Sequence, residues 1–372
     1  MGMRLSLPRL VVAVLALASP AIAERLELPS QGLENRIEFW KKVYTQYGMD
    51  DVIIHDRIHV NLIYDVAAKG EHGAKILAVQ LGLDEIRNNL TTPDSLTPYA
   101  KQIRDAIMAN GVSLTDASLA DLRDNVHTQV GIKERFRDGV VRSGRYVESF
   151  QQIFEKQGIP AEIALLPFVE SSFENRAFSS AGAAGIWQFT RGTGRLYLNV
   201  NKKVDERLDP AKATHAAARL LMENYNALGN WPLAITAYNH GRAGMVRAQN
   251  EVGSEITKVI SDYKSPSFGY ASMNFYSEFL AAVEVYSNYE QYFGQLTLET
   301  PSTRHSITAP ATATPKPKVQ TAHATAADKY RVRKGDTLGE IAQRFGVSVR
   351  ELMDTNNLRN SVIHAGQILL VR

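Results

Sequence analysis

Glu170 is the residue around which chemistry can be built. Pro160 suits the first turn of a helix, and Ile163, Leu166 and Phe173 then mark one face at roughly helical spacing, with Glu170 on the same face. An acid on a stripe that otherwise packs inward is partly desolvated, which disfavours the carboxylate and raises its pKa toward the range of an acid catalyst. A lone helical Glu is usually solvated, so it is the surrounding text that singles this one out. Pro167 removes a helical hydrogen bond three residues earlier and should bend or end the helix, leaving the acid near a terminus that can face a cleft. The run Ser179-Ser180-Ala181-Gly182-Ala183-Ala184-Gly185 permits close backbone approach, and Ile186-Trp187-Gln188-Phe189 follows at once. Small residues beside a Trp and a Gln suit a sugar, whose faces are apolar and whose rim forms hydrogen bonds.

Two further segments must position whatever binds there. Asp209-Pro210 opens a helix with Ala217, Leu220, Leu221 and Tyr225 as its core side, and Gly229 ends it. Trp231-Pro232 starts a shorter helix that finishes in Ala237-Tyr238-Asn239-His240-Gly241, where Tyr238 and Asn239 stand at a helix end within reach of a substrate. His240, before a turn glycine, reads as a capping or surface residue. Glu174 is the nearest second carboxylate in the sequence, about 6 Å from Glu170 at Cβ if the helix continued. It should lie near the helix end and point outward. His55, His59, His72 and His127 lack ligand-like spacing, so no metal is expected.

Upstream of these motifs, residues 24–143 read as a mostly helical region without a catalytic motif. An amphipathic helix from Leu33 to Tyr47 places Ile37, Trp40 and Tyr44 on one face, and Val52-Ile53-Ile54 and Leu62-Ile63-Tyr64 read as strands. Helical patterns return at Tyr99–Met108 and Lys133–Val141.

The remaining features bound the class. A chain of 372 residues with 44% hydrophobic and 22% charged residues has two or three folded units and real cores. Residues 1–23 read as a secretory signal: Arg4 and Arg9, an apolar run from Leu10 to Ala18, then Ala21-Ile22-Ala23 as a cleavage site. The formal charge of +3 falls to +1 without those two arginines, which argues against a nucleic-acid partner. The chain has no cysteine, hence no disulfide and no acceptor for a lipoprotein anchor. The expected location is therefore exported, in the periplasm or cell envelope. Residues 296–328 become rich in Ala, Thr and Pro and read as a linker. Beyond it, residues 329–372 follow the order strand, helix, helix, strand, with Leu338, Ile341, Ala342 and Phe345 as one helical stripe.

This tail resembles a LysM module, on the Val332 to Leu338 segment, the Asn356-Asn357 turn and the Gly366-Gln367-Ile368 end. By that resemblance Gly335, Asp336, Thr337 and Leu338 form one wall of a groove for N-acetylglucosamine-containing glycans, and Ile363 with Gln367 the other. Glu170-Ser171-Ser172-Phe173, Ser179, Gly182 to Gly185 with Trp187-Gln188-Phe189, and Ala237-Tyr238-Asn239 together resemble the lytic transglycosylase domain, and the whole chain resembles the membrane-bound lytic murein transglycosylase D group.

The resemblance implies a mainly α architecture: a lysozyme-like helical catalytic domain over residues 144–295, with a small βααβ LysM module at the C-terminus. It implies that Glu170 is the catalytic acid, that Ser179 and Gln188 line the sugar site, and that Tyr238 and Asn239 position the N-acetylmuramoyl ring. The implied partners are peptidoglycan glycan strands, with no cofactor. One Glu would protonate the glycosidic oxygen and then deprotonate the sugar's own C6 hydroxyl, leaving a 1,6-anhydro end. The chain departs from the family pattern at Glu174-Asn175, where Asn-Pro is usual, and at Phe268 to Tyr276, which replaces a Glu-Thr-x-x-Tyr-Val-Pro-Lys block. The competing readings are a lysozyme-type hydrolase that uses Glu174 to activate water, and an inactive wall-binding protein, against which the intact catalytic block stands.

Overall fold

The computed structural model describes residues 28–301 and parts of 329–371, so the segment read as a secretory signal lies outside the described residues. Among those described, helices dominate. The first helix, α1 (Glu34–Thr45), buries Ile37, Phe39, Trp40, Val43 and Tyr44. Three antiparallel strands follow, β1 (Asp51–Asp56), β2 (Ile63–Ala68) and β3 (Val126–Val130), with β1 in the centre.

Alternation along β1 places this sheet between two cores. Ile53 belongs to the large core of the body and Ile54 to a separate cluster with Val79, Leu83, Ile86, Ile103 and Ile107, as expected where successive side chains point to opposite faces. The second cluster is closed by α2 (His72–Asn88), α3 (Pro98–Ala109) and α4 (Asp116–Asp124). Residues 24–143 are therefore not one packing unit. The apolar face of α1 and Phe136 and Val140 of α5 (Lys133–Ser143) pack into the large core. Helix α2 buries Val79, Gly82, Leu83 and Ile86 on one face, but exposed Leu77 and Leu81 blur that period in the sequence, and β3 is half-buried from Val126 to Gln129 without alternation.

The body continues with α6 (Val147–Glu155), a 3-10 turn at Ala161–Leu165, the four-residue α7 (Pro167–Glu170) and α8 (Arg191–Tyr197). Next come α9 (Pro210–Leu228), α10 (Trp231–His240), α11 (Arg242–Val252), α12 (Ile256–Asp262), α13 (Tyr270–Ser287) and α14 (Tyr289–Phe293). Local chemistry sets the boundaries of α9 and α10. Asp209 and Asn230 cap the two helices by accepting from Lys212 N and Leu233 N, each with Pro in the first turn, and Gly229 ends α9 at φ 80°. Leu296 and Leu298 still pack on the large core and Glu299 N donates to Val141 O at 2.9 Å, so the body runs past the boundary expected at residue 295.

In the tail, β4 (Lys329–Arg331) pairs antiparallel with β5 (Ile368–Leu370) over a small core of Tyr330, Val332, Ile341, Ala342, Leu352, Leu369 and Val371. Asn356 fastens it, donating to Leu352 O and Leu370 O and accepting from Leu370 N.

Candidate functional site

Glu170 stands at the end of a broken helix. Pro167 does not interrupt a continuous helix as its position suggested; it opens α7 at the first turn, where its missing N–H costs nothing, directly after the 3-10 turn. The chain then leaves the helix through Ser172 (φ 52°) and Phe173 (φ 58°), a left-handed turn that side chains disfavour. Phe173 thus reaches the core from a turn and not along a helical stripe. Two anchors hold this turn: Arg142 of α5 donates twice to Ser172 O, at 2.8 and 3.1 Å, and buried Ser171 donates to Ile186 O at 2.8 Å.

The Ser171 bond joins the acid's turn to the small-residue loop. Gly185 in that loop has φ 83°, and a Cβ there would collide with the Arg207 carbonyl, so only glycine fits. Arg207, 2% exposed, pins the loop from below: Nη1 donates to Gly182 O at 2.8 Å and Phe189 O at 2.9 Å, while Nε and Nη2 grip Asp205 at 2.8 and 2.7 Å. That grip holds the Asp205 carboxyl below its ordinary range. Sequence reading missed Arg207, because an Asp-x-Arg spacing in a connecting segment is common and nothing local says that it is buried.

The expected site residues divide by what they touch. Gln188, at φ 48°, donates its amide to Ala177 O and Gly185 O at 3.2 and 2.8 Å, leaving Oε1 without a protein donor among the described residues. Ser179 is exposed, and its Oγ accepts from Ala183 N at 3.0 Å. Tyr238 is half-buried, lies within electrostatic reach of Glu170 and donates to Trp187 O at 2.8 Å. Asn239 is exposed and accepts from Ser272 Oγ at 2.9 Å, so one edge of its amide is tied to α13. His240 meets the same Ser272 and the edge of Phe268, and burial with the nearby Arg247 charge lowers its pKa. The reading of Trp187 as a sugar platform is corrected. It is 0% exposed, stacks on Phe154 and donates to Thr214 Oγ1 at 2.8 Å, which makes it a core residue. The exposed aromatic of this loop is Phe178, which is 65% exposed and bridges to Ala184.

Glu170 is half-buried, and its side chain makes no hydrogen bond or ion pair among the described residues. Burial alone raises its pKa to about 8. Glu174 is different in kind: its Oε1 accepts from Arg176 N at 3.0 Å and closes the local turn. The carboxyl within electrostatic reach of Glu170 is instead Glu278 on α13, over a hundred residues away in sequence. It too is half-buried and raised to about 8, first by burial and then by the charge of Glu170. Repulsion between two carboxylates is symmetric, so the charge of either one disfavours ionisation of the other. Glu278 was legible in principle, as an acid inside the apolar run Met273 to Ala282, by the same argument applied to Glu170.

The N-terminal segments brace α13 behind this pair. Arg36 donates to Asn274 Oδ1 at 2.8 Å, Tyr44 Oη to Glu278 O at 3.3 Å and Tyr276 Oη to Pro29 O at 2.9 Å. Tyr270 Oη lies 3.2 Å from His55 Nε2 of β1. A cavity of about 720 Å³ lies elsewhere, lined by Tyr146, Phe150, Asn175 and Asp209 among others, and none of the residues around Glu170 borders it.

In the tail, Asp336 accepts from Tyr330 Oη at 2.8 Å and Arg333 N at 2.7 Å, which fixes the turn after β4. Gln367 accepts from His364 N at 3.0 Å, and Ile363 packs on the module's core. Gly335, Thr337 and Leu338 lie outside the described residues.

A transglycosylase SLT domain model matches residues 148–261, which hold Glu170, the small-residue loop and the Tyr238 block, and a LysM domain model matches residues 330–372. The chain carries a lytic transglycosylase domain and a LysM module. It is homologous to membrane-bound lytic murein transglycosylase D of Escherichia coli K12, with 26% identity over 313 residues that span 67% of this chain and 68% of that protein. The LysM part is similar to segments of cell wall-binding protein YocH of Bacillus subtilis, 44% identical over 48 residues (13% of this chain, 17% of that protein), and of an autolysin of Enterococcus faecalis, 46% over 43 residues (12% and 6%). Glu278 falls outside the SLT match, and among the described residues no helix is long and apolar enough to cross a membrane.

Proposed function

We propose that this lytic transglycosylase acts on peptidoglycan in the cell envelope, cutting the β-1,4 bond between N-acetylmuramic acid and N-acetylglucosamine and leaving a 1,6-anhydro end. The observation that carries the reading is the state of Glu170: half-buried, without an ion-pair partner among the described residues, and raised by burial to about 8, so that it holds a proton at neutral pH. Glu170 gives this proton to the glycosidic oxygen as the bond to the anomeric carbon breaks. The N-acetylglucosamine residue leaves with a free C4 hydroxyl. The resulting carboxylate takes the proton of the C6 hydroxyl while that oxygen bonds to the anomeric carbon, which restores the acid and consumes no water. General acid–base catalysis of this kind contributes roughly 100- to 10,000-fold.

Around the acid, the Tyr238 block and the Gln188 loop form the walls that hold the N-acetylmuramoyl ring, with Ser179 and Asn239 at the exposed edge. Asp336 belongs to one wall of the LysM groove for N-acetylglucosamine-containing strands, and Ile363 with Gln367 to the other. The name of the E. coli relative supports murein as substrate and an envelope location. Mass spectrometry of products from purified sacculi tests the reading. Anhydro-N-acetylmuramic acid ends are expected. Reducing N-acetylmuramic acid ends would replace this reading with a hydrolase in which a second carboxylate activates water.

A further inference from the structure

Glu278 is a carboxyl without an evident structural duty. Its side chain makes no hydrogen bond or ion pair among the described residues, yet it is half-buried on a helix whose neighbours Ser277 and Phe279 are fully buried. Helix α13 packs on the four-residue α7, as the ring contact between Phe168 and Tyr286 marks at 5.1 Å, and Glu278 lies within electrostatic reach of Glu170. An acid kept in such a place with no compensating cation costs stability, which points to a role in function.

The groups around it leave Glu170 as its one titrating carboxylate partner. From α1, Tyr44 lies close, with its hydroxyl on the Glu278 backbone carbonyl. Tyr270, two turns away on α13, is also within electrostatic reach. The cations of neighbouring elements are occupied elsewhere: Lys41 pairs with Glu38 and Glu284, and Arg36 bonds Asn274 and Ile58 O. His240 of α10 meets Ser272, near the start of α13.

We infer that Glu278 is a positioning carboxyl for the Glu170 reaction, so that the two acids bind and release protons as one unit. The inference rests on Glu170 being the acid of the reaction. When Glu170 gives up its proton, protonated Glu278 keeps the site at a single negative charge. Once Glu278 ionises, its charge makes Glu170 hold its own proton more firmly, and the release is spread over a wider pH range. Glu278 lies beyond the SLT match, two residues past the Phe268 to Tyr276 stretch where this chain departs from the family's Glu-Thr block.

The test is the pH profile of kcat/KM on sacculi for wild type, Glu278→Gln, Glu278→Asp and Glu170→Gln, each checked for folding by thermal melting. In Glu278→Gln the rate below pH 7 should stay within about threefold. The alkaline limb should become a single steeper step and move about one pH unit toward acid, a tenfold loss at a fixed pH on that limb. Glu278→Asp keeps a titrating group and should restore the broad limb. Carbon-13 NMR titration of the Glu170 carboxyl in the same proteins, assigned through Glu170→Gln, gives the same comparison without turnover. An alkaline limb and a Glu170 titration both unchanged in folded Glu278→Gln overturn the inference. So does an equal loss at every pH, which would make Glu278 a catalytic group. An active Glu170→Gln enzyme would instead overturn the assignment of the acid.

Discussion

The Tyr238 hydroxyl donates to the Trp187 carbonyl at 2.8 Å, joining the end of α10 to the loop that carries Gln188, 51 residues earlier in sequence. Tyr238 also lies within reach of Glu170, so one side chain ties both sequence-distant motifs to the acid. Replacing it with Phe leaves the ring and strands a carbonyl. Tyr238→Phe should lower stability by about 1 kcal/mol, as expected for one hydrogen bond. It should also lower kcat about tenfold as the loop loses its register, and a melt of unchanged midpoint with unchanged kcat would show that the bond positions nothing.

Arg207 holds the same loop from the other side. Arg207→Met keeps much of the side-chain volume but leaves Gly182 O, Phe189 O and Asp205 without their donor. Breaking a buried pair of this kind costs roughly 3–5 kcal/mol, toward the lower end here because Asp205 is partly exposed. Activity should fall with it. Lys in its place restores one charge but not the bidentate fork and should recover less than half of the loss; chemical denaturation of the two variants measures the difference.

Phe178 offers the opposite case, an apolar ring held out in solvent at 65% exposure. Phe178→Ala should leave the melting temperature within the range of a surface change, about 0.5 kcal/mol. If the ring packs on a sugar face, KM for soluble glycan fragments should rise severalfold while kcat holds. A KM equal to wild type would remove Phe178 from the binding surface.

Much of this arrangement is legible in the sequence, and the parts that are not share a cause. Helix starts at Asp209-Pro210 and Asn230-Trp231 are written locally, in capping side chains and prolines, as is the glycine stop at Gly229. The three motif blocks could be recognised because each is a short contiguous string. Trp187 was misread because the side of the chain on which an aromatic falls depends on packing with Phe154 and Thr214, which lie far away in sequence. Glu278 and Arg207 were missed for the same reason: both act across the fold on motifs whose own residues give no hint of a partner. The two cores of the N-terminal region were hidden by the double-faced sheet, where Val52, Ile53 and Ile54 are all buried and the run between Asp51 and His55 has no polar residue to mark an outer face.

The tail yields a prediction about location of activity. Residues 329–372 have their own core, so removing them should leave cleavage of short soluble glycans within about twofold of wild type. Tethered binding raises the local concentration of active site on a polymer without altering the site. Attachment to intact sacculi, measured by co-sedimentation, should therefore weaken by about tenfold or more. Equal loss on both substrates would show that the module belongs to the catalytic unit.

The last prediction concerns the energetic cost of keeping Glu170 where it is. Burial raises the folded pKa to about 8 from an ordinary value of 4.5. Below pH 4.5 the carboxyl is protonated in both states and the shift has no effect on stability. Between 4.5 and 8 the unfolded chain releases the proton that the folded chain retains, so stability falls as pH rises, and above 8 the full cost is present. Glu170→Gln keeps the side-chain size but does not titrate, and it should escape this cost. Cleavage should drop at least about 100-fold with the general acid gone, while Glu174→Gln, whose carboxylate only closes a local turn, stays within a few-fold. The difference in melting temperature between Glu170→Gln and wild type should be near zero at pH 4 and grow to several degrees at pH 8, where each kcal/mol is about 2–4 °C. A difference that does not change with pH would mean that Glu170 ionises as a solvated residue does, and the proposed acid would lose its proton before neutral pH.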